Sequence, residues 1–490
     1  MSKKERLYNV RLSDLIKYID CRLAGQDVSI SGIEYDSRRV MPGNLFCCIV
    51  GTYKDGHEYA HMAVERGAAA LVVQHELPIK LPQIVVSDAR AAMAQLSAAY
   101  YGFPASGLRI VGITGTNGKT SSTYMLKSIA EKAGYKVGLI GTIRNMIGSR
   151  CIDTERTTPE SVDLQKLLRQ MKDENVDLVV MEVSSHSLDQ GRVHGIRFEI
   201  GEFTNLTQDH LDYHKTIDNY LAAKKRLFLA CGTAVVNADD AYAKKMTDGL
   251  DIPVVTFGIR EKAKVFATNI EITEKGVSFD LNAKGFRGVP VRVPIPGLFS
   301  VFNALGVAAI ALEMGMPIEA VQRGVEEMGS VSGRLEPLPT NGREFSVILD
   351  FAHTPDALVN ILSTAREFAK GRIVTVFGCG GDRDKAKRPI MGETAGRLSD
   401  FLVVTSDNPR TEDPNAIIAS IVEGVKKSGC EYVVIENRRK AIRYAIENAQ
   451  RNDVIILAGK GHENYQEING VKSHFDEKEI VAELMKEPTN

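Results

Sequence analysis

The chain has 490 residues, enough for about three domains of ordinary size. Apolar residues make up 44% and charged residues 25%, a globular composition rather than a disordered or fibrous one. The 61 Lys and Arg against 62 Asp and Glu leave a net charge of −1, which counts against a polybasic nucleic-acid binder. No apolar run approaches the roughly 18 residues of a membrane span. The opening MSKKERLYNVRLSD lacks the apolar stretch of a secretory signal. The seven cysteines are scattered, with only Cys47 and Cys48 adjacent, and match neither zinc spacing nor a disulfide framework. A cytoplasmic chain without nucleic-acid or membrane partners is therefore expected, and it is taken to be a monomer, although nothing in the composition fixes the oligomeric state.

Residues 1–106 read as a small mixed α/β unit. Apolar runs at 45–50 and 69–73 alternate with a helix-like stretch at 58–67, and Tyr101-Gly102-Phe103-Pro104 punctuates the end. Residues 107–331 begin with a strand over 108–114, a glycine-rich turn and a helix. Its apolar positions are Met125, Leu126, Ile129, Ala130 and Ala133, and Gly134 closes it. Further buried strands at 137–141 and 177–184 imply a parallel sheet. Between 264 and 295 the pattern has period two with a turn at Lys275-Gly276, an antiparallel addition, and residues 299–314 are again helical. Residues 332–490 supply five strand candidates, at 345–350, 372–378, 400–406, 431–436 and 453–459, with helices between them. The predicted class is α/β in three domains: 1–106, a central P-loop ATPase parallel sheet over 107–331, and a C-terminal Rossmann-like doubly wound sheet over 332–490.

The strongest motif is Gly112-Ile-Thr-Gly115-Thr116-Asn117-Gly118-Lys119-Thr120-Ser121, between a strand and a helix. Gly115 and Gly118 allow backbone N–H groups to turn toward phosphate oxygens, and the helix N-terminus adds favourable charge. Lys119 would bridge β- and γ-phosphates and Thr120 would ligate Mg²⁺, making ATP the co-substrate and Mg²⁺ the cofactor. Ile113 stands where a strict P-loop has glycine, so an ordinary glycine-rich turn is the rival reading.

Mg²⁺ calls for hard ligands. Glu182, near the end of a parallel strand, fits that role, or is a salt-bridged glutamate. Ser184-Ser185-His186 follows and would line the same cleft. Asp209 to His214 packs two histidines and two aspartates into six residues. Its spacing matches no zinc motif; it is either a ligand source through His210 or a capped loop entering a helix. Lys224, by itself, reads as a solvent-facing helix lysine.

GTNGKTS, MEVSSH, NLTQDHLDYH with its following AAK, and Asp350-FAHTP, in that order, resemble the Mur ligases, the ATP-dependent amide-forming enzymes of peptidoglycan synthesis. The resemblance spans essentially the whole chain. It is strongest to the branch that extends UDP-N-acetylmuramoyl-L-alanyl-D-glutamate by a third residue. It implies that Lys224 is carbamylated and joins Thr120, Glu182 and His210 around Mg²⁺, with Lys225 the rival should the register slip by one. It assigns Ser37 (in Asp36-Ser37-Arg38), Thr157, Thr158, Ser184, Gln190 and Arg192 to the UDP-substrate. Asn303, Arg334, Asp350 and His353 are placed at the nucleotide. Arg156 stands where some relatives carry Asn. Lys119, Glu182, His210, Lys224 and Arg334 form the implied catalytic set.

Asp407-Asn408-Pro409-Arg410 leaves a strand's C-terminal end, the usual ligand position in such a sheet. The tetrad resembles that of ligases adding meso-diaminopimelate, whose second carboxylate a guanidinium can grip bidentately. Arg383 would supply another cation, and Gly459 and Glu463 match positions at the far amino-acid end, where Glu463 would pair with an ammonium. A surface salt bridge is the rival reading of Arg410, and a dinucleotide loop that of Gly378-CGGDRD. Addition of L-lysine and folylpolyglutamate synthesis are the competing activities.

Overall fold

The computed structural model describes residues 9–51, 54–154, 156–273, 275–328 and 333–486. The expected boundary between residues 331 and 332 lies outside them, as do residues 1–8. The chain forms two compact units, 1–257 with 309–317, and 258–308 with 318–490.

The first unit opens with a five-stranded sheet of β1 (Arg22–Ala24), β2 (Gly32–Glu34), β3 (Asn44–Cys47), β4 (Ala70–Val73) and β5 (Gln83–Val85), in the order β1-β5-β4-β3-β2. It is parallel except where β1 runs against β5. Helix α1 (Ala89–Tyr100) packs on it, capped by the Asp88 carboxylate accepting from the N–H groups of Arg90 and Ala91.

The same unit then holds β6 (Arg109–Thr114), α2 (Lys119–Lys132), β7 (Val137–Ile140), β8 (Asn145–Ile147), β9 (Arg150–Ile152), α3 (Ser161–Asp173), β10 (Leu178–Glu182), α4 (Ser185–Asp189), β11 (Phe198–Phe203), α5 (Leu211–His214), α6 (Ile217–Lys225), β12 (Cys231–Asn237) and β13 (Val254–Gly258). Their order is β9-β8-β7-β10-β6-β11-β12-β13. All pairings are parallel except the β7-β8-β9 meander. Strands β6, β7 and β10 are buried on both faces, which is why they read as continuous apolar runs. Parallel register brings the C-terminal ends of β6, β10 and β11 side by side, at Thr114, Glu182 and Phe203.

The second unit carries an antiparallel meander of β14 (Val265–Thr273), β15 (Gly276–Ala283) and β16 (Phe286–Val293). The expected turn at Lys275-Gly276 joins its first two strands. Its main sheet comprises β17 (Glu336–Leu338), β18 (Ser346–Asp350), β19 (Ile373–Phe377), β20 (Phe401–Val404), β21 (Tyr432–Val434) and β22 (Val454–Ala458), in the order β17-β18-β22-β19-β20-β21. The five predicted strands are all present and parallel, and β17 is an added antiparallel edge. Helices α7 (Lys387–Leu398), α8 (Pro414–Ser428), α9 (Arg438–Glu447) and α10 (Glu477–Leu484) cover it. An exposed hairpin of β23 (Tyr465–Ile468) and β24 (Val471–His474) was not legible, because its residues are polar and carry little apolar alternation.

All seven cysteines are free. Among the described residues no helix is long and apolar enough to cross a membrane.

Candidate functional site

In the first unit the phosphate-loop motif leaves β6 and enters α2 as expected. Gly118 caps the helix with φ +87°, and Gly115 has φ +154°. A Cβ at Gly115 would lie 1.8 Å from Thr204 Oγ1, so no other residue fits. The segment after β11 braces the loop. Thr116 N–H donates to Asn205 O at 2.9 Å, Asn117 N–H to Asn205 Oδ1 at 2.9 Å, and Thr204 Oγ1 to Asn117 O at 2.6 Å. The N–H groups of Thr116 and Asn117 are used internally, and the first-turn N–H groups of α2, at Lys119, Thr120 and Ser121, are the ones directed past the helix end. Lys119 Nζ folds back on the carbonyls of Gly115 (3.0 Å) and Thr116 (2.8 Å).

Glu182 is fully buried at the last position of β10. Its Oε2 accepts from Thr120 Oγ1 at 2.9 Å and Thr142 Oγ1 at 3.0 Å, and its Oε1 from Thr142 N–H at 2.8 Å. It forms no salt bridge among the described residues, so the rival reading fails. Thr142, which sequence reasoning missed, also lies 3.0 Å from Thr157, hydroxyl to hydroxyl. Its only sequence signal was its place just past the end of β7, beside a buried carboxylate.

Lys224 is 1% exposed, not the solvent-facing lysine that its helix position alone suggests, and its Nζ donates to Gly115 O at 2.7 Å and sits 4.3 Å from the Tyr220 ring centre. Burial first, and then the Lys119 charge, hold its ammonium well below the usual lysine range, against the opposing pull of Asp209. Lys225 points elsewhere, to the carbonyls of Lys245 (2.8 Å) and Asp248 (2.6 Å). His210 has φ 54° and caps α5, and its ring meets His186 edge-on at 4.8 Å. The loop is thus a helix entry and also presents His210.

Among the residues expected at the UDP-substrate, Thr158 Oγ1 donates to Glu182 O at 2.8 Å and accepts from Ser184 N–H at 3.1 Å. Arg192 donates to Gln190 Oε1 (2.6 Å) and Thr158 O (3.0 Å) and pairs with Glu160 (3.0 Å). Arg156 also pairs with Glu160, which joins Arg192 and Arg156 as a buried anchor that sequence reasoning did not find. Ser37 is buried and donates to the Met62 sulfur at 3.3 Å, apart from this network. A cavity of about 440 Å³ lies alongside, lined by Tyr35, Arg39, Arg156, Glu160, Asp163 and Lys166 among others, but by none of Ser37, Thr157, Thr158, Ser184, Gln190 or Arg192.

In the second unit Arg334 lies 5.5 Å from the Phe351 ring centre, with a buried Nε that has no hydrogen-bond acceptor among the described residues. Asp350 ends β18 and accepts from Leu335 N–H at 2.8 Å. Burial raises its carboxyl above the usual range, and Arg334 opposes that. Asn303 is buried with its Nδ2 likewise lacking an acceptor among the described residues.

The 407–410 loop leaves β20 and converges with Gly381, Gly459 and β23. Gly381 N–H donates to Asn408 O at 2.9 Å, and Pro409 closes on Gly381, where a Cβ would be 1.9 Å from Pro409 O. Gly459 has φ +120°, and a Cβ there would be 2.7 Å from Asp407 Oδ2. Asn408 Nδ2 donates to Glu463 Oε2 at 2.8 Å. Arg410 donates to Gly381 O at 2.7 Å and pairs with Glu467 at 3.4 Å, so it makes the salt bridge of the rival reading from within the loop cluster rather than on an open surface. Arg383 is exposed at the rim, its Cγ 3.9 Å from the position of a Cβ on Gly380. Arg438 is fully buried beneath the loop, bonded to Glu477 at 2.8 Å and 3.7 Å from Asp407.

Three domain families match along the chain: the Mur ligase family catalytic domain at 29–101, the Mur ligase middle domain at 113–311 and the Mur ligase glutamate ligase domain at 333–461. The UDP-N-acetylmuramoyl-L-alanyl-D-glutamate–2,6-diaminopimelate ligase 1 of Clostridium acetobutylicum is 51% identical over 94% of this chain and 96% of its own. The chain belongs to the Mur ligase family. The similarly named ligase of Caldanaerobacter subterraneus is 49% identical to this Mur ligase over 98% of the chain and 99% of its own. A solved structure of a UDP-N-acetylmuramoyl-L-alanyl-D-glutamate–2,6-diaminopimelate ligase matches this Mur ligase at a TM-score of 0.70 and 32% identity, covering 97% of this chain and 99% of that one. The three-domain α/β architecture expected from sequence is the one these Mur ligases share.

Proposed function

We propose that this Mur ligase joins meso-diaminopimelate to the D-glutamyl γ-carboxylate of UDP-N-acetylmuramoyl-L-alanyl-D-glutamate, using ATP, in peptidoglycan precursor synthesis. The observation that carries this reading is the 407–410 loop, Asp-Asn-Pro-Arg, held at the C-terminal ends of the second unit's strands in a chain 51% identical to a ligase of that name. We assign the UDP-substrate to residues 1–106, ATP to 107–331 and the amino acid to 332–490, in a cytoplasmic monomer.

The γ-carboxylate attacks the ATP γ-phosphorus, and ADP leaves. The acyl phosphate so formed is attacked by the diaminopimelate amine, and phosphate leaves. A free carboxylate is a poor acylating agent, so phosphorylation supplies the leaving group. No side chain needs to be a covalent nucleophile, and the residues act by placement and charge. Lys119, once it releases the Gly115 and Thr116 carbonyls, reaches the β- and γ-phosphates, and the N–H groups at the start of α2 hold phosphate oxygens. Arg334 neutralises charge on the transferring group. Asn303, whose Nδ2 has no acceptor among the described residues, is assigned to the base. Thr158, Ser184, Gln190 and Arg192 hold the muramoyl-peptide, with Thr157 linked through Thr142 to Glu182.

Thr120 and Glu182 offer buried hard oxygens 2.9 Å apart, which suits Mg²⁺, an ion that takes one or two carboxylates and fills its shell from substrate phosphates. Among the described residues no three His, Cys, Asp or Glu side chains gather as a metal site. A carbamate on Lys224 adds the missing anionic oxygens beside His210. Its formation needs a neutral amine, and the burial that lowers the Lys224 pKa favours that form. Mg²⁺ bound there supplies charge neutralisation for phosphoryl transfer.

Purified protein with the UDP-dipeptide, ATP and Mg²⁺ should incorporate meso-diaminopimelate far faster than L-lysine. Efficient lysine incorporation with diaminopimelate inert would sink the reading.

A further inference from the structure

Lys460, in the loop after β22, is wholly buried, yet it lies among the residues assigned to the amino acid. Its Nζ donates to Asn408 Oδ1 at 2.9 Å and lies 3.5 Å from Glu463 Oε2. The rings of Tyr465 and Phe475 flank it, with centres 5.7 and 5.8 Å from Nζ. Asn408 Oδ1 takes a second donor, the N–H of Glu467, at 3.0 Å. With two donors on one side of the carboxamide and a carboxylate on the other, only one orientation satisfies it. Nδ2 must face Glu463, and it does so at 2.8 Å. A Glu463 oxygen is thereby pinned by Asn408 and Lys460. The other, Oε1, accepts from the Tyr465 hydroxyl at 3.4 Å.

We propose that Lys460 is a positioning residue for the incoming amino acid: it locks the Asn408 carboxamide, which fixes Glu463 so that its Oε1 meets the substrate ammonium. This rests on the reading above that Asn408 and Glu463 meet the amino acid. Lys460 has no exposed surface, so it acts through Asn408 rather than by touching substrate. Without the Lys460 ammonium, Asn408 Oδ1 and Glu463 Oε2 each lose their cationic partner, and the Glu467 N–H and the Asn408–Glu463 bond alone hold the pair, so the carboxylate is less firmly placed.

The test is steady-state kinetics of the full-length enzyme with each substrate varied in turn. Lys460→Met keeps the side-chain length and its packing on the two rings. It should raise KM for the amino acid about ten-fold or more while kcat and the KM values for ATP and UDP-dipeptide stay within about three-fold. Asn408→Asp keeps a partner for Lys460 but cannot donate to Glu463, and should give a similar KM rise; it also serves if Lys460→Met does not fold. The double variant Lys460→Met/Asn408→Ala should be no worse than Asn408→Ala alone. An unchanged amino-acid KM in Lys460→Met or Asn408→Asp overturns the proposal. So does multiplication of the two losses in the double variant, or a uniform loss of kcat with a lower melting temperature and KM untouched. Wild-type enzyme assayed with meso-diaminopimelate and with L-lysine separates the two claims. If lysine is the substrate, the diaminopimelate reading falls while the variants, assayed with lysine, still decide the role of Lys460. A wild type that ligates neither overturns both.

Discussion

Thr142 holds both oxygens of Glu182, its N–H on Oε1 at 2.8 Å and its hydroxyl on Oε2 at 3.0 Å. The same hydroxyl reaches Thr157, so one side chain joins the proposed metal ligand to the proposed muramoyl-peptide site. Thr142→Val preserves shape and the N–H contact but removes the hydroxyl. A lost hydrogen bond to a buried charge is worth about 1.5–3 kcal/mol, so kcat/KM should fall about 10- to 100-fold. The Mg²⁺ concentration for half-maximal rate should rise with it. A Mg²⁺ titration of both enzymes checks this, and coincident curves would remove Thr142 from the site.

Lys224 and Lys119 share the Gly115 carbonyl, and after burial that proximity helps to lower the Lys224 pKa. Lys224→Ala should abolish turnover, and bicarbonate should partly restore it by supplying the lost anionic oxygens. Wild-type enzyme stripped of carbon dioxide should lose activity and regain it when bicarbonate is added back, since carbon dioxide is what the Lys224 amine takes up. Full activity of Lys224→Ala would exclude the carbamate. Mass measurement in acid cannot replace these assays, because carbamates decompose there.

Glu202, on β11, is buried with neither oxygen hydrogen-bonded among the described residues, and burial pushes its carboxyl up to about 8. The folded chain therefore keeps a proton here that the unfolded chain releases near 4.5. This contribution to stability is complete below the unfolded value and drains away as pH climbs to about 8. Raising pH from about 5 to about 9 should lower the melting temperature of wild type more than that of Glu202→Gln, whose amide cannot ionise. Parallel melting curves across pH would contradict the assignment.

Arg410 is held by Gly381 and Glu467, which limits the freedom it must lose on binding a carboxylate. Arg410→Ala should lower kcat/KM for meso-diaminopimelate about 10- to 100-fold and leave the slow reaction with L-lysine nearly unchanged. Arg410→Lys should restore little, because an ammonium cannot make the bidentate contact. Equal losses with both amino acids would mean that Arg410 shapes the loop without reading the second carboxylate.

Sequence determined the strands and the motifs because both are local. Five apolar runs became β18 to β22, and the 112–121 stretch became a strand, loop and helix, since backbone geometry and apolar patterning are written in neighbouring residues. The order of chemical motifs also carried the family. Tertiary structure decided which polar residues meet. Lys224 looked like any helix lysine, and only packing against the phosphate loop made it a buried amine with a depressed pKa. Thr142, Glu160 and Lys460 carried no signal of their own, since their partners lie 40 and 15, 32 and 4, and 52 and 3 residues away. A side chain's charge state and hydrogen-bond partners depend on what surrounds it in space, and that is set by the fold rather than by the residue or its immediate neighbours.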